Sequence, residues 1–147
     1  REKDMGAMCT RCVALLAIIW GVSVQADETD LSDKIAIELN TVAEGQGSCT
    51  LTFLVTNGHT VDIEQLVYET VLFDSNGAVD RLTLFDFGAL PVARPRVRQF
   101  AVSDLACRDL GRVLFNGLHT CVAQGLDKAV CAAGLVPSSR VSVEVLG

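Results

Sequence analysis

Residues 49 to 57 read Cys-Thr-Leu-Thr-Phe-Leu-Val-Thr-Asn, followed by Gly58. Leu51, Phe53 and Val55 fall on one face and Thr50, Thr52 and Thr56 on the other, broken only by Leu54. A period of two with β-branched residues on the polar side marks a half-buried strand. Asn57-Gly58 ends it in a turn. Upstream, Lys34 to Leu39 alternates in the same way, with Ile35, Ile37 and Leu39 on the apolar face.

Downstream, Ile63 to Asp74 carries Val67, Val71 and Phe73 on one face and Leu66, Tyr68 and Leu72 on the other. Apolar residues on both faces predict a central, buried strand. Asp74-Ser75-Asn76-Gly77 reads as a hairpin turn into Val79 to Phe87. Its likeness to a calcium loop fails at the twelfth position, where Phe85 stands in place of a bidentate Glu. Leu90-Pro91 stops that strand, and the next runs from about Arg96 to Val102. Val97 and Phe100 are both apolar but of opposite parity, so a bulge is expected near Arg98 or Gln99. Gly111 to Asn116, with Val113 and Phe115, and Arg140 to Leu146, with Val141, Val143 and Val145 inward, complete seven strands. Between those two, Asp127 to Ala133 has room only for a short helix. The pattern predicts an all-β fold, an immunoglobulin-like antiparallel β-sandwich, with a closed barrel as the alternative.

The chain has 147 residues, too few for more than one domain of this kind. Val13 to Val24 is an apolar run preceded by Arg11 and followed by Gln25-Ala26, the form of a secretory signal peptide. It is shorter than the roughly 18 to 20 residues that span a bilayer. Residues 1 to 4, ahead of Met5 and Met8, read as lying upstream of the start, and cleavage is expected after Ala26. The mature domain is then 27 to 147, with 16 acidic and 9 basic side chains. An acidic balance of that size disfavours nucleic acid as a partner, since phosphate binding needs a basic footprint. The expected compartment is the periplasm, with no membrane span in the mature chain.

Four cysteines remain after Ala26: Cys49, Cys107, Cys121 and Cys131. An even number in an exported chain predicts two disulfides. In the assumed sandwich, Cys49 opens the second strand and Cys107 lies between the fifth and sixth, at the same pole. Cys121 and Cys131 both lie in the excursion from Gly117 to Ser139, at the other. The expected pairs are therefore Cys49 with Cys107 and Cys121 with Cys131, because other pairings exceed the roughly 7 Å that a disulfide allows between Cα atoms.

At Cys49-Thr-Leu-Thr-Phe53, Val71-Leu-Phe-Asp74, Arg81-Leu-Thr-Leu-Phe-Asp-Phe-Gly-Ala-Leu-Pro91 and Arg94-Pro-Arg-Val-Arg-Gln-Phe100, the sequence resembles a family of small exported proteins of alphaproteobacteria. Members are often labelled Tat-signal domain proteins, but Thr10-Arg11 is not a twin arginine, so export through Sec is expected. More distantly, the strand order around Asn57, Leu72-Phe-Asp74 and Phe100 is similar to the FxLYD-type immunoglobulin-like domains of bacterial envelopes. Neither resemblance implies an activity or a site.

No catalytic signature is present. Ser103, Ser138 and Ser139 lack a G-x-S-x-G setting, and no Cys-x-x-Cys or HExxH spacing occurs after Ala26. The protein is therefore expected not to be an enzyme and to carry no cofactor. Candidate binding residues are Arg94, Arg96 and Arg98, alternate arginines that would line one face of an extended segment, since guanidinium forks suit carboxylates and phosphates. The alternative is that they pair internally with Asp80, Asp86 or Asp104. His59 and His119, expected in exposed loops at one pole, are a second candidate pair, for a small ligand or metal, although no methionine or free thiol accompanies them. Leu126, Val130, Leu135 and Val136 in the excursion either cover the core or face a partner. The leading expectation is a module binding another envelope protein through this pole and the arginine stripe. The alternative is a small-ligand or metal carrier using the histidines.

Overall fold

In β2 (Ser48–Asn57) buried and half-exposed side chains alternate without a break, and Cys49, Leu51, Phe53 and Val55 are fully enclosed. The structure, a computed structural model, describes residues 29–147; the expected signal peptide lies outside them. β1 (Ile35–Glu44) pairs antiparallel with β2 on one side, and β5 (Arg96–Ser103) on the other. β3 (Ile63–Asp74) sits between β4 (Val79–Leu90) and β6 (Leu110–Ala123), antiparallel to both. As its two-sided apolar pattern requires, β3 is buried on both faces, with Leu66, Tyr68 and Leu72 inward and Val67 and Val71 outward. Asp74 forms the predicted turn: its Oδ1 accepts from the N–H groups of Asn76 and Ala78, and Gly77 takes φ +84°.

One further strand corrects the expected count to eight, and the last expected strand is shorter than Arg140 to Leu146. β7 (Leu135–Ser139) runs parallel to β1, and β8 (Glu144–Leu146) runs parallel to β6. The sheets have the orders β5-β2-β1-β7 and β4-β3-β6-β8, an immunoglobulin-like sandwich whose last segment crosses from one sheet to the other. β4 and β5 form one open side, β7 and β8 the other.

The long excursion from Gly117 to Ser139 is not a loop. β6 continues to Ala123, α1 (Lys128–Ala133) comes next, and β7 completes it. β6 is hidden in the sequence because it carries extra residues at Gly111, Asn116 and His119 relative to β3. Each extra residue reverses the parity of the residues after it, so Phe115 and Leu118, opposite inward Thr70 and Tyr68, are an odd number of residues apart. A period-two pattern cannot survive that. The bulge expected at Arg98 or Gln99 is absent, since β5 pairs with β2 in unbroken register from Ser48↔Ser103 to Val55↔Arg96. Phe100 points inward, and Val97 is simply exposed, at 59%.

Both disulfides form as expected, Cys49–Cys107 with Cα atoms 4.9 Å apart and Cys121–Cys131 with 6.6 Å. The first closes a long loop, a constraint worth about 3 to 5 kcal/mol; the second ties α1 to β6.

Tyr68, the single tyrosine of the chain, is 2% exposed, and its hydroxyl has no hydrogen-bond partner among the described residues. Burial pushes its pKa up to about 12. The fold accommodates the neutral phenol, so this contribution to stability is complete below the ordinary value near pH 10 and is lost as pH rises through about 12. Alkaline absorbance titration of the native protein should show that late ionisation, and Tyr68→Phe should flatten urea stability against pH across the same window. A native midpoint near 10 would contradict the burial.

Candidate interaction surface

Arg96 and Arg98 stand opposite Val55 and Phe53 in the β5–β2 register, and partners in register share a face. Both arginines therefore point to the inner face of an edge strand, at the margin of the core. Arg94 precedes the strand and is exposed. The three do not form one outward stripe. Arg98 reaches across the open side of the sandwich, where Nε donates to the Phe87 carbonyl at 2.6 Å and a terminal nitrogen donates to the Ala89 carbonyl at 2.9 Å. Gly88, at φ +65°, lies between those carbonyls, and Phe87 is the extra residue of a bulge against β3. Internal pairing with Asp80, Asp86 or Asp104 does not occur: Asp80 is held by Arg81, and Asp86 accepts from Gln65 and the Gly88 N–H. Arg98 meets backbone carbonyls because a bulged edge leaves them unpaired.

Arg81 makes the reciprocal contact, donating from β4 to the Ser103 carbonyl of β5 at 2.8 Å. Two arginines thus bridge the open side at its two ends. Between them lies a cleft of about 360 Å³ lined by Thr83, Phe85, Gln99, Phe100 and Ala101. Its floor is the Phe85–Phe100 pair, stacked with ring centroids 4.2 Å apart.

His59 is not an exposed loop residue. It is 2% exposed, with both ring nitrogens unpartnered among the described residues, and its N–H donates to Asn57 Oδ1. Asn57, read from sequence as a turn residue, is fully buried and donates to the carbonyls of Val61 and Leu90, tying the β2–β3 connection to the end of β4. His119 is exposed, on a β6 bulge beside Thr120. It lies level with Val67 and Tyr68, whereas His59 lies beyond Ile63 at the strand end, so the structure does not bring the two rings together. Among the described residues no group of three or more His, Cys, Asp or Glu is placed to hold a metal. No described helix is long and apolar enough to cross a membrane. Of the excursion residues, Leu126 and Leu135 cover the core and Val130 is exposed.

The feature that sequence reading missed lies on the outer face of the second sheet. Leu82, Val71, Leu114 and Leu146 are successive partners in register across β4, β3, β6 and β8, an apolar row spanning the whole sheet. Leu82 is 64% exposed, and Leu84 beside it 50%. Arg112 borders the row, paired with Glu144 and lying over the Phe73 ring at 5.7 Å. Glu69 and Asp86 flank it with no cationic partner among the described residues. Alternation along β4 alone could have flagged Leu82 and Leu84, but the row exists only through the register of four strands.

These features define a two-layer, immunoglobulin-like β-sandwich with an apolar outer face and one braced open side. Among solved structures it is similar to IrmA from Escherichia coli, at 14% identity and a TM-score of 0.53, over 71% of this chain and 90% of that one. That likeness concerns the fold alone. No family model and no curated protein matches the chain.

If Arg98 is a brace and not a ligand-binding group, Arg98→Ala should cost about 1 to 2 kcal/mol in urea unfolding, through two charge-assisted hydrogen bonds at a partly exposed site. Arg94→Ala should stay within about 0.5 kcal/mol. Equal effects at both positions would contradict the assignment.

Proposed function

We propose that this chain is a non-enzymatic, exported module of the periplasm that binds another envelope protein. The observation that carries the reading is the apolar row Leu82–Val71–Leu114–Leu146 on the outer face of the second sheet. Two-layer sandwiches bury the inner faces of their sheets and keep the outer faces polar, so an apolar row whose two ends, Leu82 and Leu146, stand exposed on either side of the buried Val71 points to a partner. The outer face of the first sheet is more polar, since Thr50, Thr52 and Thr56 alternate along β2 and Gln99 donates to Thr52 across the strands, and among the described residues its one large exposed apolar side chain is Val97, opposite Leu54. Two disulfides suit an oxidising compartment. The apolar run before Ala26 and the resemblance to small exported alphaproteobacterial proteins support export. The binding surface is accordingly this sheet face, while Arg98 serves as internal support.

Photo-crosslinking from single positions in living cells tests the reading. Probes at Leu82 and Leu146 should give the same discrete adduct, and a probe at Thr52 on the opposite face should give none. Equal labelling from both faces, or none from either, would sink it.

A further inference from the structure

The apolar row is flanked by charges that one chain cannot pair. On one side of it Val79, Phe73, Arg112 and Glu144 are partners in register across the same four strands. Arg112 lies over the Phe73 ring and gives only its Nε to Glu144, so its two terminal nitrogens have no partner among the described residues. On the other side, Leu84 and Gly117 stand opposite Glu69. The Glu69 carboxylate leans over Gly117, with Oε2 3.6 Å from where a Cβ on that glycine would stand, and it has no cationic partner among the described residues. A guanidinium and a carboxylate thus lie over one strand, β6, on either side of Leu114. Two rows of the sheet separate them, about 13 Å, too far to meet within a chain.

A second copy laid face to face brings them together. An isologous contact between two faces has its two-fold axis in the plane of the interface, and aligned stacking of sheets leaves two choices for it. With the axis along the strands, each flank meets itself: Glu69 stands beside Glu69 of the second copy, and Arg112 faces Phe73. With the axis along the apolar row, Leu82, Val71, Leu114 and Leu146 each meet their own counterparts and the two flanks exchange. Arg112 then faces the Gly117 position of the second copy, where the Glu69 carboxylate lies, and the symmetry makes the pair twice. On β4 the same exchange sets Val79 opposite Leu84, which are 59% and 50% exposed. β6 is one of the two middle strands, so the roughly 30° stagger of packed sheets displaces its residues little. Both copies are acidic overall, but beyond about 8 Å that repulsion is screened at physiological ionic strength, and the pattern within the face decides.

We propose that two copies of this chain pair through the outer faces of their second sheets, about a two-fold axis along the apolar row, with Arg112 of each copy against Glu69 of the other. The apolar row supplies the buried centre of the contact, and the two charge pairs select this stacking over the one that sets glutamates side by side. This rests on the reading of that face as the binding surface and identifies the envelope protein bound there as a second molecule of the same chain.

Sedimentation velocity of the oxidised mature protein, in a concentration series up to millimolar, should show a monomer–dimer equilibrium. Glu69→Lys alone and Arg112→Glu alone should each weaken dimerisation at least about tenfold, since each sets like charges against one another at both pairs. An equimolar mixture of the two variants should dimerise again, because in the mixed dimer every pair once more joins opposite charges. Leu82→Asp, at a side chain 64% exposed in the monomer, should weaken dimerisation with little effect on folding; if Arg112→Glu fails to fold beside Glu144, that variant and Glu69→Lys carry the test. A protein that stays monomeric at millimolar concentration, dimers indifferent to Leu82→Asp and Glu69→Lys, or a mixture of folded charge variants that pairs no better than either alone would each overturn the proposal. In cells, the adduct from Leu82 should have the mass of two copies. A discrete adduct of another mass, with no dimer in solution, would overturn self-pairing while leaving the binding face intact. Loss of both adduct and dimer would remove both.

Discussion

Phe53 is where the two sheets meet. It sits at the middle of β2, fully buried, with ring centroids of Phe85, Phe87, Phe100 and Phe115 all between 5.8 and 6.0 Å away. Those rings come from β4, β5 and β6, so one side chain fixes the spacing of both sheets and the position of both edge strands on the open side. Edge-to-face and tilted aromatic pairs contribute on the order of 1 kcal/mol each beyond the area they bury. Phe85 and Phe100 then stack directly on each other at the mouth of the cleft. The core therefore does not stop at a ragged margin on this side; it ends in a stacked pair with an arginine brace at each end.

That arrangement explains why an acidic protein keeps arginines inward on an edge strand. An inner position at the margin of a sandwich is half in the core and half in water. A long side chain can bury its stem against apolar neighbours and carry its charge to the rim. Arg98 does so and finds carbonyls freed by the Gly88 bulge. The planar guanidinium spans two carbonyls at once, which the single point charge of a lysine ammonium would do less well. Bracing the ends leaves the middle of β4 free, and the same strand supplies Leu82 to the apolar row. Edge and outer face thus form one continuous surface, apolar in the middle and acidic at its limits.

Much of the fold was legible in sequence because β1 to β5 obey a period of two, and the disulfide pairing emerged once the strand order was assumed. β6 was legible only as far as Asn116, since each bulge beyond that point reverses inward and outward. β7 escaped because it is a short parallel edge strand whose pairing depends on a distant partner, whereas β8 was read within Arg140 to Leu146 and only its length was overestimated. At the site, three arginines at alternate positions were read as lining one face, either open to a ligand or paired internally with Asp80, Asp86 or Asp104. Parity was right, but which parity faces the core is set by Phe53 and Val55 on the neighbouring strand. His59 looked like a loop residue because it comes directly after Asn57-Gly58; Asn57 is instead a buried hub that draws the connection inward. The apolar row could not be read at all, because its four members come from four strands.

The apolar row begins at the free edge of β4, and amide hydrogen exchange of the free protein addresses that edge directly. Along residues 82 to 86, the amides of Thr83 and Phe85, bonded into the sheet opposite Thr70 and Tyr68, should exchange slowly. Those of Leu82, Leu84 and Asp86, facing outward, should exchange at rates near those of solvent-exposed strands. Uniform protection of all five would mean that the edge is already covered, and would contradict an open β4.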